Sequence, residues 1–203
     1  MKIAIIGATG FIGQHIFNEA VSRQHQVTAL VRNPEKVSAA RNVKAQAVEV
    51  SDATALKHAL ADQDVVVVSI HYEDRDIEQL INNIKATGIK RALFVGGAAS
   101  LEVAPGVQLF DTPQFPDIFK ATASAAKNLL DLLRGEKAFN WVYVSPSAFI
   151  EPGERTGNFR LGKDQLLTNE KGESRISNQD FAVAVVNELE TPEHKQTRFT
   201  VGY

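Results

Sequence analysis

The chain has 203 residues, a formal net charge of −2, and 44% hydrophobic against 23% charged residues, the balance of a soluble globular protein with a sizeable core. That charge leaves no electrostatic footprint for nucleic acid or an anionic membrane surface, and the lack of cysteine excludes disulfides, thiolate catalysis and cysteine-held metal. The longest purely apolar strand candidate, Val65 to Val68, is far too short to span a bilayer, and a fold that begins at Lys2 predicts a cytoplasmic protein without a leader peptide.

Met1-Lys-Ile-Ala-Ile-Ile reads as a first strand that runs directly into Gly7-Ala-Thr-Gly10-Phe-Ile-Gly13. A strand, a glycine-spaced turn and a helix in this order form a dinucleotide-phosphate fingerprint, here with GxxGxxG spacing. Gly7 permits the tight exit from the strand, Gly10 lets backbone approach a pyrophosphate, and Gly13 lets the helix pack on the sheet. The helix itself is expected to be amphipathic through Phe11, Ile12, Ile16, Phe17, Ala20 and Val21, its N-terminal amides facing the phosphates.

Strand-like and helix-like segments then alternate. Gln26 to Val31 is a strand, and Asn33-Pro-Glu-Lys-Val is a capped helix start with Pro34 in its first turn. Val43 to Val50 reads as a strand, and Ser51-Asp52 caps a helix through Ala61. Asp64 to Ser69 is a β-branched run suited to a parallel strand buried on both faces. Ile77, Leu80, Ile81 and Ile84 mark a helix, and Arg91 to Val95 a fifth strand ending at Gly96-Gly97. A long loop with Pro105, Pro113 and Pro116 leads to a helix with Phe119, Ala123, Ala126, Leu130 and Leu133 on one stripe. Asn140 to Ser145 is a sixth strand stopped by Pro146. Glu151 to Ser174 reads as loops or short strands, Ser177 to Asp180 as a capping box for the helix Phe181 to Leu189, and Arg198 to Tyr203 as a last strand. The expected fold is α/β: a Rossmann-type, doubly wound parallel sheet in one domain, 1–203, with a short C-terminal elaboration on the substrate side.

Arg32 follows the second strand, nineteen residues after Gly13. An acidic side chain near this point would accept hydrogen bonds from the ribose hydroxyls of NAD. The guanidinium found instead suits a 2′-phosphate, with Lys36 one helical turn further on, and so points to NADP (as NADPH). The alternative is a solvated arginine closing a strand end.

Read together, these segments resemble the atypical short-chain dehydrogenase/reductase group of small NAD(P)H-binding proteins. The likeness is nearest to bacterial NADH-flavin reductases and more distant to biliverdin/flavin reductases and NmrA-like proteins. It rests on Gly7-Ala-Thr-Gly10, Val31-Arg32-Asn-Pro, Asp64-Val-Val-Val, Val95 to Leu101, Ser145-Pro-Ser-Ala-Phe149 and Arg198 to Tyr203. The resemblance implies that Thr9, Gly10, Phe11 and Ile12 hold the pyrophosphate and Arg32 the 2′-phosphate. It puts Val50, ending the third strand, beside adenine, and Ile70 and His71, after the fourth, beside the nicotinamide ribose. Gly97 and Pro146, ending strands five and six, would line the nicotinamide pocket.

One departure from the wider group matters. Tyr72, Tyr143 and Tyr203 all lack a lysine four residues on, and the place of a Tyr-x-x-x-Lys pair falls at Phe119 and Ala123. No catalytic residue is therefore assigned. His71 is either a loop histidine or a proton donor at the cleft, and Ser100 either satisfies its own turn or donates to substrate. Lys120 and Lys127 read as the solvated face of a helix, and Phe110, Phe115 and Phe119 as core or as an apolar lid over an aromatic substrate. The histidine spacing gives no metal site. The leading expectation is NADPH-dependent reduction of a small conjugated acceptor, with FMN or FAD as possible substrate; a non-catalytic NADP-sensing regulator and an epimerase- or dehydratase-like enzyme are the alternatives.

Overall fold

A computed structural model describes all residues, 1–203. In chain order its elements are β1 (Lys2–Ile6), α1 (Gly13–Ser22), β2 (Gln26–Val31), β3 (Val43–Ala47), α2 (Ala53–Leu60), β4 (Val65–Val68), α3 (Ile77–Ala86) and β5 (Arg91–Val95). They continue with β6 (Glu102–Ala104), β7 (Val107–Gln108), α4 (Lys120–Gly135), β8 (Asn140–Ser145), β9 (Phe149–Glu151), β10 (Arg160–Gly162), β11 (Arg175–Ser177), α5 (Asn178–Glu190) and β12 (Thr197–Gly202).

Eight strands form one sheet in the order β10-β12-β8-β5-β4-β1-β2-β3, and only β10 runs antiparallel, against β12. The chain moves outward from β1 through β2 to β3, then returns to the other side of β1 at β4. The reversal makes the carboxyl ends of β1 and β4 the topological switch point, where open α/β sheets bind ligands. Both faces are covered, as a parallel sheet requires. Helices α2, α3 and α4 pack with Ala4, Val66, Phe94 and Trp141 on one face, and α1 and α5 with Ile3, Val67, Leu93 and Val142 on the other. The expected doubly wound parallel sheet is present.

Local chemistry sets the helix starts. Asp52 accepts from Thr54 N (3.0 Å) and Ala55 N (2.9 Å) to open α2, and Asp76 from Gln79 N (2.8 Å) to open α3. Ser177 Oγ accepts from Asp180 N at 2.9 Å to open α5. The reciprocal half of the expected capping box is missing, because the Asp180 carboxylate is taken by Thr156, Gly157 and Tyr203 and the Ser177 amide by Tyr203 Oη.

Other expectations need correction. The segment after Asn33 is one 3₁₀ turn, Pro34–Lys36, with no side-chain cap. β3 stops at Ala47 rather than Val50; Val48 and Val50 are buried in the connection to α2. The proline-rich loop contains the β6–β7 hairpin, turned at Pro105-Gly106 with Gly106 at φ +75°. Phe11 and Phe119, read as members of helical stripes, lie just outside α1 and α4 and are more than half exposed (53% and 57%).

A buried ion pair ties the amino end of β5 to the carboxyl end of α5. Arg91 donates to the Glu188 carboxylate and to the Glu188 carbonyl (2.8 Å), while Glu188 also accepts from His194 N (3.1 Å) and lies 2.8 Å from His194 Nδ1. Both charged side chains are almost fully buried, so removing one strands the other in low dielectric. Glu188→Ala is expected to cost about 3–5 kcal/mol of stability in urea denaturation. Adding Arg91→Met should restore part of the loss, and no recovery would show that the pair's charge is not what the single variant loses.

Candidate functional site

The glycine turn sits at the switch point. Gly7, at φ +86°, leaves β1 with its amide donating to Leu30 O of β2 (3.0 Å). A Cβ at Gly7 would stand 2.1 Å from Ser69 O, one residue beyond β4, and one at Gly13 would stand 2.1 Å from Gly7 O. The chain therefore turns between two backbones with no room for a side chain at either glycine. Gly10 differs: its backbone is not left-handed, and a Cβ there would only press on Gly7 O at 3.2 Å. Its exposed Cα leaves open the space that a larger side chain would fill.

The amides of this turn define what it can hold. Gly10 N donates to Gly7 O (2.9 Å), but the amides of Thr9, Phe11, Ile12 and Gly13 donate to no group in the chain. α1 has no side-chain cap at Ile12 and no acidic residue in its first turn. Free N–H groups and the positive end of a ten-residue helix meet here, an arrangement suited to a diphosphate.

Arg32 lies one residue beyond β2, exposed and without a hydrogen-bond or ion-pair partner. The Gly7–Leu30 bond keeps this strand end beside the glycine turn. Lys36, on the following 3₁₀ turn, is also exposed. Val50 is buried beside α3, its carbonyl accepting from Asn83 Nδ2 at 3.1 Å, so it borders this end of the sheet from a loop instead of from a strand. Ile70 is half-buried, and its side chain approaches Gly7. His71 follows Ile70 with its side chain 87% exposed and its ring Nδ1 3.7 Å from Glu73.

Gly97 and Pro146 follow the adjacent strands β5 and β8. Gly97 N donates to Tyr143 Oη (3.2 Å), and Tyr143 Oη donates to Ala126 O of α4 (3.0 Å). Burial pushes the Tyr143 phenol up to about 12, so it stays neutral. Tyr72, also buried, donates to Val95 O (2.9 Å) at the end of β5, and burial raises it well above the ordinary phenol range. Sequence reasoning treated both tyrosines only as failures of a Tyr-x-x-x-Lys match. Their one available signal was a phenol within an otherwise apolar segment, which needs a buried partner.

The C-terminal segment closes over the far side. Arg198 on β12 is buried, donates to Ser100 Oγ (2.8 Å) and pairs with Asp164. Ser100 therefore serves a neighbouring strand and not its own turn. Ser147 Oγ donates to Val201 O and Arg175 O, both at 3.1 Å. The Phe110 amide donates to Ala99 O (2.9 Å), which places Phe110 and its neighbour Phe115, rings 5.2 Å apart, next to the loop after β5. Lys127 is not on a solvated face: its ammonium stands 5.2 Å from the Phe110 ring and donates to Gln108, whereas Lys120 is exposed and pairs with Asp117. A concavity of about 310 Å³ around Arg41 and Lys44 lies at the opposite, amino ends of β1–β3, away from the switch point.

Comparison with known proteins agrees with this geometry. The family model described as NAD(P)H-binding matches residues 7–192. The uncharacterized protein YwnB of Bacillus subtilis is 42% identical over 99% of this chain and 98% of its own. Among solved structures, a putative epimerase from Bacteroides thetaiotaomicron is 39% identical with a TM-score of 0.95, covering 100% of this chain and 96% of that one. A putative NADH-flavin reductase from Streptococcus pneumoniae TIGR4 is 38% identical with a TM-score of 0.88, covering 100% and 99%. With its glycine turn at the switch point and a family match that runs from that turn into the loop after α5, the chain belongs to the NAD(P)H-binding family.

Proposed function

We propose that the protein is an NADPH-dependent reductase that delivers hydride to a flavin or another flat conjugated acceptor. The observation that carries this reading is the row of free amides at Thr9, Phe11, Ile12 and Gly13 beside the unpaired Arg32. The amides take the diphosphate, and Arg32 takes the 2′-phosphate through charge-assisted hydrogen bonds. The name of the streptococcal relative supports a flavin acceptor. It specifies NADH; the preference for NADPH rests on Arg32.

Bound nicotinamide supplies the hydride, and the acceptor takes its balancing proton from solvent. The chain's own residues bind, orient and shield. Phe110 and Phe115 offer aromatic surface beside the loop after β5, and the exposed Ile118, Phe119 and Phe149 add apolar surface for a flat ring. The side chains that the sequence offers as acid or base are engaged elsewhere or exposed. Tyr72 and Tyr143 are buried and bonded to backbone, Ser100 is held by Arg198, and His71 is exposed beside Glu73. This argues against the epimerase chemistry named for the Bacteroides relative, which needs a positioned proton donor.

Arg32→Ala is expected to weaken NADPH binding by roughly one to two decades, the loss of a charge-assisted contact, and to leave NADH nearly unchanged. Calorimetric titration of both nucleotides decides it; equal losses would remove Arg32 from the 2′-phosphate. Gly10→Val should keep the circular dichroism spectrum and lose nucleotide binding, because its backbone accepts a side chain but the cradle does not. Retained affinity would make the glycine turn purely structural. His71→Ala and Ser100→Ala should each slow NADPH oxidation with FMN by far less than the roughly hundredfold loss of an essential acid or base. A thousandfold loss in either would reinstate acid–base catalysis.

A further inference from the structure

Two buried phenols from one face of the sheet bond to the backbone of the same two-residue turn, one before it and one after it. Tyr72 Oη donates to Val95 O at 2.9 Å, with Val68 O a longer second acceptor at 3.3 Å. Tyr143 Oη accepts from the Gly97 amide at 3.2 Å and donates to Ala126 O at 3.0 Å. Gly96, between these bonds, lies flat on the Tyr143 ring: a Cβ there would sit 1.9 Å from Tyr143 Cζ. Its amide is held by Val144 O (2.9 Å). Val95 O, Gly96 N and Gly97 N thus each have a fixed partner, although the turn itself carries no side chain.

We propose that Tyr72 and Tyr143 are positioning residues that hold the Gly96–Gly97 backbone as the rigid wall against which the nicotinamide end of the cofactor is oriented. The inference rests on the nucleotide reading above and adds what sets the geometry at the reacting end. A glycine pair is the least constrained backbone a chain can place at a site, so without outside bonds it would sample many conformations. A ring packed on one glycine and hydroxyls bonded on both sides remove that freedom without placing a charge beside the ring. Tyr143 belongs to β8, whose pairing with β5 runs from Arg91↔Asn140 to Val95↔Val144, so this half of the clamp is anchored in the sheet, while Tyr72 stands buried in the loop between β4 and α3. Neither phenol touches the acceptor, and neither is a proton donor in the reaction.

The test compares two ligands on Tyr72→Phe and Tyr143→Phe: NADPH, and adenosine 2′,5′-bisphosphate, which has the adenine and 2′-phosphate but no nicotinamide. Each variant keeps its ring and loses one hydroxyl. The expected result is a roughly three- to tenfold loss of NADPH affinity, the scale of one neutral hydrogen bond, with bisphosphate affinity within about twofold of wild type. Gly96→Ala should shift the same ratio, because its Cβ displaces the Tyr143 ring. Trp141→Phe serves as control: it perturbs the opposite end of β8, where the indole donates to Glu136 O at 3.1 Å, and should lower the melting temperature without moving the ratio. The Gly97 amide should also exchange hydrogen faster in Tyr143→Phe, a readout that needs no ligand. An unchanged ratio, an equal loss for both ligands, or the same shift in Trp141→Phe would overturn the inference. A wild type that binds neither ligand would overturn the nucleotide reading itself.

Discussion

The structure turns on one close approach: the carbonyl of Ser69, just after β4, stands where a side chain on Gly7 would be, and the carbonyl of Gly7 stands where one on Gly13 would be. Three backbone segments meet there without side chains between them. This contact lets β4 return to the far side of β1 and still leaves α1 close against the sheet. It also faces the start of α1 outward with its amides free. Helices α2, α3 and α5 solve that problem with Asp52, Asp76 and Ser177; α1 has no such residue. The donors left over are what a diphosphate needs.

Around this point polar groups are spent on position. Arg198, Tyr72, Tyr143 and Ser147 all reach backbone or neighbouring side chains at the carboxyl ends of β4, β5 and β8, and each is buried. Asp180, wholly buried at the start of α5, accepts from Thr156, from the Gly157 amide and from Tyr203, knotting the C-terminal residue to the loop before β10. Buried groups this fully engaged stabilise one arrangement of the loops. Such a site suits a reaction in which the cofactor carries the chemistry and the protein supplies orientation.

Much of the fold was legible in the sequence because parallel strands buried on both faces leave a strong trace. Gln26–Val31, Arg91–Val95 and Asn140–Ser145 are apolar runs bounded by polar residues or glycine, and the structure gives those limits. The errors have physical causes. Val48 and Val50 alternate with Glu49 as a strand would, yet they bury their side chains from a turn. Phe119 continues a 3.6-residue stripe but precedes the first turn of α4, so it faces solvent. The β6–β7 hairpin was signalled by Pro105-Gly106 between Val103 and Val107, and the surrounding prolines masked it. At the site, the glycine turn and Arg32 were readable because they depend on local order. The partners of Arg198, Tyr143 and Asp180 were not, since Arg198 and Ser100 lie 98 residues apart and meet only through sheet pairing.

The central claim is that the free amides after Gly7 and the guanidinium of Arg32 together bind a 2′-phosphorylated dinucleotide. A crystal structure with NADPH tests it most directly. The account predicts the diphosphate on the amides of Thr9 to Ile12, the 2′-phosphate on Arg32, and the nicotinamide against Gly97. A nucleotide bound elsewhere, or one seated on the glycine turn with Arg32 left in solvent, would contradict it.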